Sequence, residues 1–255
     1  MRLTEIVDRL DEELRTAAYA DVDASANGLQ VGPSDVEVEH VAFAVDAVRE
    51  TIEAAVAADA DLLVTHHSLI WDGIERVTGR DFDRIAPLFE GDVALYVSHL
   101  PLDGHQKLGN GAGIADLLGL TEREPFGELG DEYVGLRGTA KESFTPAELQ
   151  EGLADGLDTG AGDVRVLDFG PDRIEDVAIV TGSGVDWLDE AVDRGADVLV
   201  TGEGKARVYH EAKEAGINVV LGGHYATETF GVRSLQDLLE EWGLETTYLD
   251  VPTGL

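Results

Sequence analysis

Leu3, Ile6, Val7, Leu10 and Leu14 recur at three- and four-residue spacing, so the chain is expected to open with an amphipathic helix. The stretch "NGLQVGP" at 27–33 reads as loop, with glycines for unusual turns. Strand and helix patterns then alternate. "HVAFAV" (40–45) reads as strand, "VRETIEAAVAA" (48–58) as helix and "DLLVT" (61–65) as strand. "FDRIAPLFEG" is expected to be a helix, "DVALYVS" (92–98) a strand and "NGAGIADLLGL" (110–120) a short helix. From about 121 to 172 the periodicity weakens. A strand is expected near "EYVGLRG", a helix near "TPAELQEGLA" starting from Thr145, and a strand near "VRVLDFG". Alternation resumes to the C-terminal end. This order points to the α/β class, with parallel strands and helices on the sheet faces.

The pattern repeats. Residues 41–67 align with 177–203 at an offset of 136 without a gap, and nine of the 27 positions are identical. Chance gives two or three. "DVALYVSHLPLD" (92–103) then aligns with "INVVLGGHYATE" (217–228) at an offset of 125. Each copy has an apolar strand, a histidine, and an acid four residues later: His99 with Asp103, and His224 with Glu228. An internal duplication is expected, with a first α/β half over 1–125 and a second over 126–255.

Composition narrows the class. With 44% hydrophobic residues, a chain of 255 can bury a sizeable core. Cysteine is absent, which excludes disulfides, thiolate metal sites and cysteine nucleophiles. The start "MRLTEIVDRLDEEL" mixes acids with apolar residues, unlike a signal peptide, and no apolar run reaches the roughly 18 residues of a membrane span. A cytoplasmic protein with no membrane partner is expected. The charge is extreme: 52 acids against 18 bases, formally −34, with lysine only at 107, 141, 205 and 213. Such a surface repels itself and also repels nucleic acid, whose binding rests on clustered Lys and Arg, so nucleic acid is not an expected partner. The regular periodicity argues against disorder. A halophilic, folded protein of a high-salt cytoplasm fits, because salt shortens the range of repulsion to about 3 Å at 1 M.

Ligands of open α/β sheets bind beyond the carboxyl ends of the strands. His66, His67, His99, Asp103, Glu203, His224 and Glu228 all fall at or just past such ends. Imidazole and carboxylate together suit Zn, Fe, Mn, Co or Ni. Adjacent strand residues point to opposite faces, and the chain turns at a strand end, so His66 and His67 could aim at two ions. Five ligands with one shared acid describe a two-metal centre, its ions about 3.5–4 Å apart. An isolated histidine is more often a hydrogen-bonded structural residue, and an acid four residues on is common. The double histidine, together with both His-acid pairs on repeat-equivalent ends, shifts the balance to metal. His40 and His105 read as surface residues, and His210 lies on an expected helix. The turn "TGSGVD" (181–186) could hold an anion on its N–H groups, although tight strand-to-helix turns use glycine anyway. It lacks the glycines of a nucleophile elbow at 181 and 185.

"NGLQVG", "DLLVTHHSLIW", "YVSHLPLDGHQKLGNG", "VTGSGV", "GADVLVTGE", "GGHYATETFG" and "PTGL" together resemble the dinuclear metal-centre family of the GTP cyclohydrolase 1 type 2 homologs, over nearly the whole chain and in the family's order. The resemblance is to the short form, without the inserted domain. It implies two similar, intertwined α/β halves with mixed sheets flanked by helices, the C-terminal part packing on the first half. It also implies a toroidal homohexamer, a trimer of dimers, with metal sites facing the interior. Carried over by motif, His67 and Asp103 would hold one ion, His66 and His224 the other, and Glu228 would bridge the two and join the catalytic set. His99 is then a candidate for orienting Asp103 or a metal-bound water, and Glu203 a candidate supporting acid or base.

The expected function is a metal-dependent hydrolase that opens a purine nucleotide ring, as the family name suggests, or cleaves a phosphoester through a metal-activated water. No Walker-type loop is present, and Arg76, Arg80, Arg84 and Arg207 are the candidate phosphate contacts. The alternative is a non-enzymatic metal-binding or scaffold ring.

Overall fold

The computed structural model describes all residues from 1 to 255. Its first elements are α1 (Leu3–Glu13), β1 (Gly28–Val31), β2 (His40–Asp46), α2 (Arg49–Ala57), β3 (Leu62–His67), α3 (Arg80–Glu90) and β4 (Ala94–Val97). They are followed by α4 (Leu100–Asp103), α5 (Asn110–Leu117), β5 (Leu120–Leu129), β6 (Glu132–Phe144), α6 (Pro146–Gly156) and β7 (Arg165–Leu167). The last are β8 (Ile174–Ile179), α7 (Leu188–Asp193), β9 (Val198–Thr201), α8 (Val208–Ala215), β10 (Asn218–Leu221), α9 (His224–Thr227), α10 (Thr229–Glu241) and β11 (Glu245–Tyr248).

Contacts divide the chain into two units. One is Met1–Leu102 with Gly231–Val251; the other is Asp103–Phe230 with Pro252–Leu255. The first unit carries a five-stranded sheet in the order β1-β4-β3-β2-β11. Its inner pairs are parallel, and β1 pairs antiparallel with β4 at one edge. Ala42, Ala44, Leu63, Leu95 and Val97 face one side, where Ile52 and Ala55 of α2 and Ile85 and Leu88 of α3 cover them. The alternate residues Phe43, Val64 and Tyr96 are buried on the other side, where the Tyr96 hydroxyl donates to Asp11 of α1 at 2.8 Å. The second unit carries a six-stranded sheet in the order β5-β6-β8-β9-β10-β7, antiparallel at both edges and parallel through β8-β9-β10. Ile114 and Ala115 of α5 and Leu149 and Leu153 of α6 pack on Leu136, Val177, Ile179, Val198 and Val200. The class is mixed α/β, with two mixed sheets flanked by helices. No helix is long and apolar enough to cross a membrane.

Where the sequence pattern and the structure differ, the reasons are local. The expected loop at 27–33 contains β1, an edge strand of four residues, too short to show a period. β5 goes unread because Thr121–Pro125 are exposed and rich in charge; antiparallel pairing with β6 holds it in place. The division falls at 102/103 rather than 125/126 because α5 buries its apolar face in the second core.

The repeat is also visible in the hydrogen bonds. Val41 pairs with Leu62 in the first sheet, and Val177 pairs with Val198 in the second, each position 136 residues on. Asp61 Oδ2 accepts from the N–H of Glu39 (2.8 Å) and His40 (3.0 Å). Asp197 Oδ2 accepts from Glu175 and Asp176 at the same two distances. Each acid, just before one strand, ties down two backbone donors at the start of the parallel strand beside it. Asp61→Ala and Asp197→Ala are therefore expected to destabilise by similar amounts, about 1–2 kcal/mol each. Urea midpoints measure this, and an unchanged midpoint in either variant refutes the role. The later part of the repeat is shifted by one residue: Thr65 pairs with Val97, but Thr201 pairs with Leu221. By sheet register His99 therefore matches Gly223, not His224.

Candidate metal centre

In the first unit three histidines converge. β3 runs through His67, so both members of the double histidine are strand residues, and His67 pairs with Asp46 across β2. Strand alternation alone sends neighbours to opposite faces. Here the chain ends its strand at once, and the two rings sit 4.9 Å apart, tilted by 43°. The His99 ring lies 5.2 Å from His66 and 5.9 Å from His67. The three residues offer ring nitrogens within 4.8 Å of one another.

Each ring is oriented through Nδ1. His66 Nδ1 lies 3.0 Å from the Ser98 carbonyl oxygen, which only accepts, so it carries the proton. His67 Nδ1 is 2.7 Å from Asp46 Oδ1, and His99 Nδ1 is 2.9 Å from Asp23 Oδ1. In all three the proton is placed on Nδ1 and the lone pair on Nε2. Carboxylate and carbonyl partners of this kind accompany metal-binding histidines, where they fix the tautomer and raise ligand basicity. Burial raises the Asp23 pKa, but bonds from His99, Asn27 and the Ser25 N–H outweigh it and hold the carboxyl below its ordinary value. The "NGLQVG" motif braces the same place. Asn27 Oδ1 accepts from the His99 N–H at 2.8 Å, and Gln30 Oε1 accepts from Leu69 (3.1 Å) and Ile70 (3.0 Å), just past the double histidine.

The second unit holds the other donors. Asp103, the last residue of α4, is buried, and its Oδ1 accepts from Asn110 Nδ2 (2.8 Å) and Thr181 Oγ1 (3.1 Å). His224 opens α9, and Glu228 follows one turn later, with Nε2 and Oε2 3.2 Å apart. The Glu228 carboxylate lies where a side chain at 182 would be. A Cβ built on Gly182 meets Glu228 Oε1 at 2.2 Å. In the first half the matching position, 136 residues earlier, is Asp46, the partner of His67. The duplication has thus kept a carboxylate near the end of this strand in one half and made room for one from α9 in the other.

Glu203 accepts from Ser183 Oγ and lies 3.4 Å from His224 Nδ1. The Ser183 bond and the nearby His224 hold its carboxyl below the ordinary glutamate value despite partial burial. That suits an anion orienting His224 better than a base poised near neutral pH. His99 is held by Asp23, as described. Two N–H groups of the "TGSGVD" turn are engaged within the protein: that of Gly182 with Thr227 Oγ1 (3.2 Å) and that of Gly184 with Thr201 Oγ1 (2.9 Å). Arg207 is engaged with Asp186. His40 links β2 to β11 through Thr247 Oγ1 at 2.8 Å, and His105 Nδ1 accepts from the Leu108 N–H at 2.9 Å, so both have structural work. Sequence reasoning missed Asp46 and Asp23. Asp46 had a signal, an acid closing the apolar run "HVAFAVD" at a strand's carboxyl end. Asp23 had none.

The donors are nitrogen and oxygen only, oriented by carbonyl and carboxylate neighbours, and the His and Glu groups could hold a metal ion of the borderline or hard kind. A protein of Halobacterium salinarum named GTP cyclohydrolase 1 type 2 homolog is 54% identical over 255 residues, covering all of both chains. One of the same name from Archaeoglobus fulgidus is 43% identical, again over the whole of both. The crystal structure of TTHA1606 from Thermus thermophilus superposes with a TM-score of 0.89 at 37% identity, covering 100% of each chain. The sequence profile of Duf34/NIF3 (NGG1p interacting factor 3) matches residues 1–253, and on these grounds the chain belongs to the DUF34/NIF3 family.

Proposed function

We propose that this protein is a metal-dependent hydrolase that holds two divalent ions through His66, His67, Asp103, His224 and Glu228. Its substrate on this reading is a nucleotide opened at its purine ring, or a phosphoester. The observation that carries the reading is the support of the double histidine: a carbonyl on His66 Nδ1 and a carboxylate on His67 Nδ1, each leaving the lone pair on Nε2. Relatives named GTP cyclohydrolase 1 type 2 homolog support the nucleotide class. Bound ions of this kind lower the pKa of a coordinated water and polarise the bond under attack.

The chain's own residues do the rest. Asp46 and Ser98 fix the two histidines. Asn110 and Thr181 aim Asp103 by donating to one oxygen, and Glu203 steadies His224. Glu228, 3% exposed, offers a carboxylate shielded from bulk water, where charge interactions are stronger. The reading also carries the homohexameric ring implied by the resemblance, with Zn, Fe, Mn, Co or Ni as the candidate ions.

Elemental mass spectrometry at high salt tests it. The wild type is expected to hold about two ions per chain, and the variant combining His66→Ala and His67→Ala is expected to lose them. Metal-loaded wild type is then offered GTP and phosphoesters. No stoichiometric metal in the wild type, even after reloading, ends the hydrolase reading. Stoichiometric metal without turnover leaves a metal-binding or scaffold ring protein.

A further inference from the structure

A cavity of about 200 Å³ lies between residues 69–74 and the start of α3, with Trp71, Arg80, Asp81 and Arg84 in its wall. Arg84 donates through Nη2 to the Ala47 carbonyl at 2.5 Å, while its Nε is buried with no hydrogen-bond partner. Burial lowers the Arg84 pKa and the neighbouring Arg80 adds to the effect, against the raising pull of Asp81 and Asp46. Arg80 has only a long contact, 3.9 Å, to Asp81, and its side chain is 86% exposed. Two guanidinium groups one helical turn apart disfavour each other. Two arginines and one carboxylate, Asp81, line the cavity, a local excess of base in a chain with 52 acids and 18 bases.

The missing acceptor has a definite chemistry. A phosphoryl dianion presents several oxygens to the fork of a guanidinium and bonds two of them in parallel. The cavity also adjoins the histidine cluster. Trp71, 41% exposed, meets His99 edge-on with centroids 5.0 Å apart, and its ring is 6.4 Å from His67. The exposed indole can take a planar group by offset stacking.

We propose that this cavity is a phosphoryl subsite, with Arg80 and Arg84 as binding residues and Trp71 as the platform for a planar group joined to the phosphate. The ligand class is a phosphate monoester of a nucleoside. The proposal rests on the hydrolase reading for the rest of the ligand, but recognition of the phosphoryl group itself needs no metal.

Calorimetric titration of metal-stripped protein with inorganic phosphate, GMP and guanosine tests it, in the salt that keeps the protein folded. GMP is expected to bind at least about tenfold tighter than guanosine. Arg84→Gln and Arg80→Gln are each expected to weaken phosphate and GMP by about tenfold to a hundredfold, leaving guanosine unchanged. The Arg80 variant changes an exposed side chain, so its fold is retained and its result stands even if the Arg84 variant is unstable. Equal affinity for GMP and guanosine overturns the proposal. So does unaltered GMP binding in the Arg80 variant, or phosphate that binds only to metal-loaded protein. Because the titration uses stripped protein, a chain that never holds metal still gives a readable answer here.

Discussion

Gly182→Ala is expected to remove most of the metal affinity while leaving the fold in place. The new Cβ falls 2.2 Å from Glu228 Oε1 and 3.1 Å from His224 Nε2, so the carboxylate has to move to reach ordinary contact at 3.4 Å. Glu228 is buried and has no open solvent to swing into. A flexible side chain can yield, and the backbone penalty is modest: φ at 182 is +56°, and an L-residue in that region costs about 1–2 kcal/mol. For a chain of this size that is a loss of several degrees in melting temperature, at about 2–4 °C per kcal/mol. The loss in metal affinity is expected to be at least about a hundredfold, the upper end of the effect of removing a supporting partner around a ligand. Chelator competition and a melting curve on the same sample separate the two. A folded variant that keeps wild-type metal affinity removes Glu228 from the ligand set.

The second large effect is on salt. Even if all 18 bases were paired with an acid each, 34 acids would remain. Most of the ion pairs present are exposed, such as Arg49 with Glu53 and Arg194 with Glu124, and exposed pairs contribute little. Going from about 1 M to about 0.1 M salt lengthens the screening distance from about 3 Å to about 10 Å, which lets neighbouring carboxylates interact. The melting temperature is expected to fall by on the order of 10 °C or more over that range, since several kcal/mol of repulsion are uncovered. Circular dichroism during heating, without divalent ions, checks it. An equal melting temperature at both salt levels removes the high-salt reading and leaves the acidity without a role in stability.

The parts of the molecule legible in the sequence are those whose burial is periodic. α1 was readable from Leu3, Ile6 and Leu10 because one helical face is buried. β2 and β3 are readable from their buried apolar runs, Val41–Val45 and Leu62–Val64, as in strands covered on both faces. β5 was not, because pairing with β6 holds it while five consecutive residues stay exposed. In the candidate site the same contrast holds. His66 and His67 stood out because paired histidines are rare in this chain and end an apolar run. Asp46 and Asp23 act on His67 and His99 from 21 and 76 residues away, so their roles appear only once the chain is folded. The ungapped alignment sets His99 against His224, whereas the sheet register sets it against Gly223, because cross-strand pairing shows only in the folded chain.

The return of residues 231–251 to the first sheet bears on how the protein is made. On the ribosome, β2 emerges early, yet its neighbour β11 is among the last segments synthesised. Until then the first sheet has an unfinished edge of apolar strand, the kind that recruits other chains. The second unit is nearly contiguous, Asp103–Phe230, and has its strands to hand first. The strands of the second unit are therefore all synthesised before the first unit has its last strand, and over that interval the dense negative charge of the chain disfavours its association with neighbours.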